Sequence, residues 1–407
     1  MSKIKTAIAE YREHGLLYVM KHVGIELPDR LNALIGKLVF SKLPLKNTVI
    51  IESHNDFDLN GGAFYQFMLD NGINEHWRIV WLITHKKPAE LPYHVRCFDY
   101  YKPSIIKEYF CCTAKVLLND DKFTRKRREG QICIYCMHGS VGMKDLHGLI
   151  SVPDYVDYIL SPSAWHDPDL CWNLSVPYPN DRMLHIGFPS DDNLFNGSSD
   201  EYTRIRQSRY SKYVLWMPTL RSNSKNRNDS TDELPFGIPL VKTKEQLERI
   251  NSFCREHDCL LIIKIHPMQR KETYQGLEDL SHIAILDGDR VKALGIDNYR
   301  LMKSCDAFMS DFSSSTYSFL MLNRPVAFDF SDLEYYKHAM PKKIIDSYTP
   351  GAKVYSIDDF IAFLRSVCDG EDAYLEERSA FVEKLYTYRD GNACRRLAEF
   401  VGMIPRK

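Results

Sequence analysis

The chain has 407 residues, of which 44% are hydrophobic and 26% charged, and its formal net charge is −1. This length exceeds one typical core and fits two α/β domains. A charge near zero excludes a basic field over the whole surface, so we predict no nucleic-acid partner. Because no stretch approaches the roughly 20 apolar residues that span a bilayer, and the first residues are unlike a secretory signal, we expect a cytoplasmic protein.

Residues 1–46 are predicted to form a mildly basic helical segment. Leu16, Leu17, Met20 and Val23 recur near helical spacing. Two interpretations stay open: the segment packs on its own domain, or it rests on an anionic membrane surface at the inner face of the plasma membrane. Acidic residues interrupt the basic face, which favours packing.

Strands and helices alternate over the next part of the chain. We predict strands at 48–52, 78–84, 114–118 and 132–137, and helices at 61–71 and 103–110. Such an alternation is typical of a parallel sheet that is covered on both faces. We therefore predict a Rossmann-like domain over residues 47–200, which ends in a turn-rich stretch near 193–209.

The alternation of strands and helices resumes at Tyr213. We predict strands at 213–217, 259–265, 283–286 and 307–309, helices at 242–257 and 298–304, and further helices over 356–401. A second Rossmann-like domain is therefore predicted over residues 201–407. The fold class is α/β, with two doubly wound domains facing a central cleft, and ligands of such sheets bind outside the carboxyl ends of the strands.

A hydroxyl-rich segment, Ser310 to Ser318, follows the strand at 307–309 and opens a helix that we predict over 317–322. The start of a helix presents free backbone N–H groups and the positive end of the helix dipole, and the hydroxyls of Ser313, Ser314 and Ser315 add donors there. This combination predicts a cradle for an anion, best suited to a phosphate. The ordinary alternative is a helix N-cap, for which one serine suffices.

Other polar clusters also follow predicted strands. His138 comes after the strand at 132–137, and a histidine can accept a proton near neutral pH. His266 follows the strand at 259–265. Arg221 follows the strand at 213–217, and its planar guanidinium suits a phosphate. Each cluster alone also fits an ordinary loop or turn.

Two further motifs favour ordinary explanations. The basic stretch 122–128 is predicted to be a solvated loop, with a phosphate-rich acceptor or an anionic membrane surface as the alternative. Cys133 and Cys136 match a C-x-x-C spacing, but they lie in a predicted strand, where positions three apart face opposite sides. No second pair with metal-type spacing exists in the sequence, so we predict neither zinc nor redox chemistry there.

Taken together and in order, these clusters resemble the CDP-glycerol glycerophosphotransferase family, whose members build teichoic-acid or teichoic-acid-like capsular polymers. The resemblance covers roughly residues 45–340. It rests on His138-Gly139 with Lys144, Gly187-Phe188-Pro189 with Asp191, Pro218-Thr219 with Arg221, His266-Pro267, Ser310 to Ser314, Arg324-Pro325, and Asp332 to Tyr335. Met137, Ser190 and Ser310 depart from the usual Trp, Arg and Thr. These departures place the chain off the central teichoic-acid group, and a capsule polymerase or a related polyol-phosphate transferase is compatible with them.

The resemblance implies a GT-B-like fold, with the nucleotide on the C-terminal domain and the acceptor on the N-terminal domain. It also implies transfer of glycerol phosphate or ribitol phosphate from a CDP-linked donor to a hydroxyl of a cell-surface polymer or its primer, with release of CMP. The alternatives that stay open are a GT-B-like glycosyltransferase or epimerase that uses a nucleotide sugar, and a polymer-binding protein without activity.

The residue roles follow from the resemblance and from the chemistry of attack on phosphorus, which needs a base and groups that offset negative charge. His138 is the expected general base, with Gly139 and Lys144 on the acceptor side. The residues expected to hold or orient the donor are His266, Thr219, Arg221, Asp311, Ser313, Ser314, Ser315, Asp332 and Glu334. We predict no cofactor and no required metal, because no carboxylate pair of the kind that holds Mg²⁺ stands beside these motifs.

Overall fold

A computed structural model describes residue 28 and residues 30–137, 141–222, 228–339 and 342–406. Most of the segment predicted at 1–46 lies outside these residues, and within them residues 30–38 are helical. Among the described helices, none combines the length and the apolar character needed to cross a bilayer.

The chain divides into two compact units that are discontinuous in sequence. The first unit contains residues 1–138, 152–160 and 394–407, and the second contains residues 139–151 and 161–393. The predicted division lay between residues 200 and 201. The chain thus passes from one unit to the other more than once, and no change in composition marks those points.

The first unit is built on a parallel sheet. Its elements are β1 (Lys46–Glu52), α1 (Leu59–Asp70), β2 (Arg78–Ile83), β3 (Val95–Asp99), α2 (Ile105–Thr113), β4 (Ala114–Asn119), β5 (Ile132–Tyr135) and β6 (Tyr158–Leu160). Within this unit the strands lie in the order β3-β2-β1-β4-β5-β6, and each neighbouring pair is parallel.

Continuous apolar runs form the central strands of this sheet. In β1, Val49, Ile50 and Ile51 are all buried, as expected where helices cover both faces. Strand β3 was not predicted, because only Val95 in it is buried and Arg96 is exposed. An edge strand of this kind lacks the apolar run on which a prediction from sequence depends.

The second unit contains a second parallel sheet and most of the helices. Before the sheet come α3 (Asp167–Asn173), β7 (Met183–Leu184), α4 (Asp192–Phe195) and α5 (Tyr202–Ile205). The sheet and its helices are β8 (Lys212–Trp216), α6 (Lys244–Glu256), β9 (Cys259–Lys264), β10 (Ile283–Leu286), α7 (Gly288–Leu294), α8 (Asn298–Lys303), β11 (Ala307–Ser310), α9 (Ser314–Leu320), β12 (Val326–Asp329), α10 (Lys342–Ser347) and β13 (Ala352–Val354). They are followed by α11 (Ile357–Asp369) and α12 (Leu375–Leu385), whereas α13 (Ala393–Phe400) belongs to the first unit from its second residue onward.

Strands β10-β9-β8-β11-β12-β13 are neighbours in this order, and all pairs are parallel. One face of the sheet packs in a core with Tyr317 and Phe319 of α9, and we call it the α9 side. The other face packs in a core with Leu247 and Ile250 of α6, and we call it the α6 side. Each of the two sheets is therefore of the α/β kind that the sequence predicts.

Candidate active site

The second sheet brings the polar motifs of this unit to one edge. Because its strands are parallel, the segments that follow β8, β9, β11 and β12 all leave from the carboxyl edge. These segments carry Thr219 and Arg221, His266, Asp311 to Ser315, and Asp332, respectively. Topology alone thus places most of the predicted donor-side residues in one region.

Arg221 lies at the centre of this edge and is 1% exposed. Its Nε donates to Asp332 Oδ2 over 2.8 Å, and its Nη2 donates to Asp332 Oδ1 over 2.9 Å. Nη2 also donates to Asp311, and Nη1 donates to the carbonyl and hydroxyl oxygens of Thr219. The guanidinium lies over the ring of Tyr336, 4.8 Å from its centroid. Arg221 therefore ties together the segments that follow three different strands.

Asp311 and Gln269 extend this network. Asp311 is fully buried and accepts from the backbone N of Thr219 over 3.1 Å and from its hydroxyl over 3.0 Å. Gln269 Oε1 accepts from Arg221 N over 3.0 Å, and Gln269 N donates to His266 O over 2.8 Å. The segment after β9 is thereby joined to the other three.

The charges within the network compensate one another. Burial acts to lower the pKa of Arg221, but the carboxylates of Asp311 and Asp332 outweigh burial and hold that pKa above its ordinary value. The arginine therefore stays charged at every physiological pH. Removal of either partner would leave a buried charge without compensation.

These contacts bear on the predicted contact between Arg221 and a phosphate. A guanidinium has five N–H donors, and in Arg221 all of them donate to described residues of the protein. A phosphate would have to replace one of these acceptors. Direct contact stays a prediction, and the observed geometry supports a positioning role.

Helix α9 begins at Ser314, three residues before the predicted start at Tyr317. The reason is local, because the Ser313 hydroxyl accepts from Ser315 N over 3.2 Å and so caps the helix. A side chain at Gly142 would place its Cβ 4.0 Å from Ser314 N and 3.8 Å from Phe312 O. Gly142 thus lies beside the serine turn, Ser313 to Ser315, within the second unit.

His266 is half-buried just beyond the end of β9. Its Nδ1 accepts from Met268 N over 3.1 Å. In the neutral ring the proton therefore resides on Nε2, which makes that nitrogen a donor. A donor nitrogen suits contact with a phosphate oxygen better than removal of a proton.

The structure separates Asp332 and Glu334, the two acidic residues after β12 that were expected to hold or orient the donor. Asp332 is 1% exposed and accepts from Ser230 Oγ over 3.1 Å in addition to Arg221. Glu334 is exposed in the 3-10 turn Leu333–Tyr335. Only Asp332 therefore belongs to the buried network.

On the predicted acceptor side, His138 and Gly139 lie outside the described residues. Lys144 belongs to the second unit and forms an antiparallel bridge with Ala339. Next to it, Asp145 N donates to His338 O over 3.0 Å. The segment after Gly142 is thus fixed to the chain that follows the 3-10 turn Leu333–Tyr335.

The carboxyl edge of the first sheet carries a group of acids that we did not predict. Glu52 ends β1, and Asp120 and Asp121 follow β4, its neighbour. Burial raises the pKa of Glu52 to about 7 and raises that of Asp120 well above its ordinary value. His54 lies 3.2 Å from Asp121, and this contact raises the pKa of the histidine. The available signal was a carboxyl residue directly after an apolar run.

A second unpredicted residue of the first unit, Asn60, holds the backbone that leads to His138. Its Nδ2 donates to Cys136 O over 3.1 Å and to Met137 O over 2.8 Å. Met137 has a φ of 62°, which is uncommon for a side chain of this kind. Backbone strain of this sort gathers at functional sites, so Asn60 fixes a strained residue directly before His138.

Neither edge offers a metal centre within the ranges that the structure describes, since no three His, Cys, Asp or Glu side chains there are arranged to hold an ion.

The comparisons with known proteins agree on one family. The family model described as CDP-Glycerol:Poly(glycerophosphate) glycerophosphotransferase matches residues 37–402. The chain is 23% identical over 344 residues to the teichoic acid glycerol-phosphate primase of Bacillus subtilis strain 168, covering 79% of this chain and 78% of that protein. It is 25% identical over 228 residues to the teichoic acid ribitol-phosphate polymerase TarK of Staphylococcus aureus, covering 54% of this chain and 40% of that protein.

A solved structure of the wall teichoic acid polymerase TagF superimposes with a TM-score of 0.69 at 16% identity, covering 97% of both chains. At this identity the likeness concerns the fold alone. It confirms the predicted GT-B-like α/β class.

Proposed function

Because the chain belongs to the CDP-glycerol:poly(glycerophosphate) glycerophosphotransferase family, we propose that it transfers a polyol phosphate from a CDP-linked donor to a hydroxyl of a cell-surface polymer or its primer. The polyol is glycerol or ribitol, and CMP is the second product. The observation that carries the proposal is the buried Arg221 network, which gathers the motif segments of the second unit at one sheet edge.

The donor binds at the edge of the second sheet in this proposal. Ser313, Ser314 and Ser315 offer hydroxyl donors to the diphosphate, and His266 contributes its imidazole ring. Arg221, with Asp311 and Asp332, keeps these segments in place. Donors that are fixed before the reaction stabilise the charge that develops on phosphate oxygens most effectively.

His138 acts as general base towards the acceptor, with Gly139 and Lys144 on the acceptor side. The acceptor oxygen attacks the phosphorus of the polyol phosphate and forms a new P–O bond. The bond between that phosphorus and the oxygen that leaves with CMP breaks, and the proton of the acceptor hydroxyl passes to His138. The buried acids Glu52 and Asp120 lie at the carboxyl edge of the first sheet, in the unit that contains His138, and can accept hydrogen bonds from acceptor hydroxyls.

We further propose that the protein acts at an anionic membrane surface on the cytoplasmic side. Leu31, Leu34 and Leu38 are 57%, 52% and 54% exposed. Their spacing puts them along one side of the helix at 30–38. Exposed leucines beside lysines and arginines suit the boundary between lipid headgroups and acyl chains.

The test measures CMP release from CDP-glycerol and CDP-ribitol with polymer primers. Wild type is expected to release CMP with one donor, and His138→Ala is expected to lose activity by about 10²- to 10⁴-fold, the usual contribution of a general base. His257→Ala, at the end of α6, serves as the matched control and should keep full activity. The proposal is wrong if wild type releases no CMP with any primer, and thermal stabilisation by UDP-sugars alone would favour the glycosyltransferase or epimerase alternative.

A further inference from the structure

Lys264 is a buried cation that the sequence analysis did not single out. It is the last residue of β9 and is 3% exposed. Lysine is almost never fully buried unless it is paired. In the sequence it stands as one charge at the end of an otherwise apolar strand.

The ammonium of Lys264 has no hydrogen-bond or ion-pair partner among the described residues. Burial alone lowers its pKa to about 8, and no neighbouring carboxylate counteracts burial. Arg221 and Arg378 are the comparable buried cations of the second unit. Both of them pair with carboxylates, Arg378 with Asp372. Lys264 thus carries a charge for which the described residues supply no counter-charge.

The strand register places this charge on the α9 side of the sheet. Side chains alternate along a strand, and Leu260 and Ile262 lie in the α9-side core, whereas Leu261 and Ile263 lie in the α6-side core. Lys264 follows the same alternation as Leu260 and Ile262, so its side chain lies on the α9 side. Its partner on β10, Leu286, belongs to the α9-side core as well.

The same side of the sheet carries the serine turn. Strand β11, which leads into Ser313 to Ser315, lies two strands from β9, with β8 between them. At the usual strand spacing the two strand ends are about 10 Å apart. A lysine side chain and a diphosphate together can bridge that separation. His266 leaves from the same strand, two residues beyond Lys264.

We propose that Lys264 binds the diphosphate of the CDP-polyol donor, an inference that rests on the function proposed above. The diphosphate of the donor is negatively charged and can supply the counter-charge that the described residues do not provide for the Lys264 ammonium. The ammonium contributes charge-assisted hydrogen bonds to phosphate oxygens, and it offsets the charge that develops on the oxygen leaving with CMP. Arg221, with its N–H groups used inside the protein, then supports the site while Lys264 contacts the ligand.

The test compares wild type with Lys264→Met, which keeps length and apolar volume but removes the charge. Calorimetry measures binding of CDP-glycerol, CDP-ribitol and cytidine, the last of which lacks phosphates. The variant is expected to bind the CDP-polyol about tenfold to a hundredfold more weakly, the usual loss for a hydrogen bond to a charged group, and to bind cytidine as wild type does. Lys292→Met, at an exposed position of α7, is the matched control and should bind all three ligands normally.

If Lys264 served only to stabilise the fold, Lys264→Met would unfold at a lower temperature than wild type, whereas the inference predicts the opposite. Because Lys264→Met removes an unpaired buried charge, the ligand-free variant is expected to unfold at a higher temperature than wild type. If the variant binds the CDP-polyol as wild type does, or loses cytidine binding equally, the inference is overturned while the proposed function stands. If wild type binds neither CDP-polyol, the proposed function fails and the inference fails with it.

Lys264→Gln provides a second variant of similar length should Lys264→Met not fold. It is expected to lose the same tenfold or more in CDP-polyol affinity, and full retention would overturn the inference. Failure of both variants to fold would contradict the expected stabilisation and overturn it too.

Discussion

The two sheets end in edges that differ in their buried charged groups. The carboxyl edge of the first sheet carries buried acids, with Glu52 and Asp120 both 1% exposed or less. The carboxyl edge of the second sheet carries the buried cations Arg221 and Lys264, the acids Asp311 and Asp332 that pair with Arg221, and the serine turn. Both edges belong to parallel sheets of similar topology, so the fold does not determine the difference.

This difference indicates that the side chains that follow the strands, rather than the fold, determine the function of each unit. An edge with cations and N–H donors suits the negatively charged donor. An edge with buried acids of raised pKa suits hydroxyl groups, since a carboxyl accepts hydrogen bonds and, when protonated, also donates one. Substitutions that alter one edge at a time test this contrast.

The largest effect is expected at the second edge, on removal of its central cation. Arg221→Met leaves Asp311 and Asp332 buried without compensation, and breaking such a pair costs about 3–5 kcal/mol. We expect a loss of this size in the free energy of unfolding measured with urea, and loss of donor binding under conditions where the variant remains folded.

Arg378→Met is the matched control, because Arg378 is also fully buried and pairs with Asp372 on another part of the second unit. It should lose stability but retain affinity for the CDP-polyol. Equal donor affinity in the two variants would show that the Arg221 network does not position the site.

A smaller effect is expected at the first edge, as a dependence of stability on pH. Burial raises the pKa of Glu52 from 4.5 to about 7, so the folded state favours the protonated form. The stability that this preference contributes is complete below pH 4.5 and is lost as the pH rises through 7, by about 3 kcal/mol in all. Glu52→Gln should therefore flatten the stability profile over this range, measured by urea unfolding at a series of pH values.

The second edge should respond in the opposite direction. Burial lowers the pKa of Lys264 from 10.5 to about 8, so its contribution to stability is complete above pH 10.5 and is lost as the pH falls through 8.

Glu248→Gln, at an exposed position of α6, is the control for Glu52→Gln. An unchanged slope between pH 4.5 and 7 in Glu52→Gln would contradict the assignment.

The smallest effect on stability is expected for Asn60→Ala at the first edge. Loss of its bonds to the Cys136 and Met137 carbonyls should cost about 1–3 kcal/mol. Because misplacement of a catalytic group lowers the rate more than it weakens donor binding, we expect kcat to fall about tenfold to a hundredfold with KM for the CDP-polyol unchanged.

Asn71→Ala tests the same kind of bond away from the site, since Asn71 Nδ2 donates to Phe67 O over 2.9 Å just past the end of α1. That control should keep kcat. A proportional rise in KM for Asn60→Ala would point instead to a general disturbance of the fold.

Much of this arrangement could be predicted from the sequence, and the reasons are local. Strands β8, β9 and β11 are continuous apolar runs, and the motifs that follow them lie at the edge where parallel strands end. Strand β13 was not predicted, because it has three residues and only Val354 in it is buried. Short strands of this kind are formed by their neighbours rather than by their own pattern.

The partners of the site residues could not be predicted. Nothing near Arg221 in the sequence indicates that Asp311 and Asp332 use its N–H groups, and nothing near Lys264 indicates that it lacks a partner. Both facts depend on tertiary packing. The same holds for Glu52 and Asp120, which come from strands that are adjacent in the sheet and distant in the chain.

The distances along the chain within the Arg221 network also set an order of assembly during synthesis. Arg221 is separated from Asp311 by 90 residues and from Asp332 by 111. Contacts over such separations close only after the intervening chain is available. A growing chain that has not yet reached Asp332 holds its arginine with one carboxylate at most, so the donor edge is completed only when nearly the whole second sheet has been made.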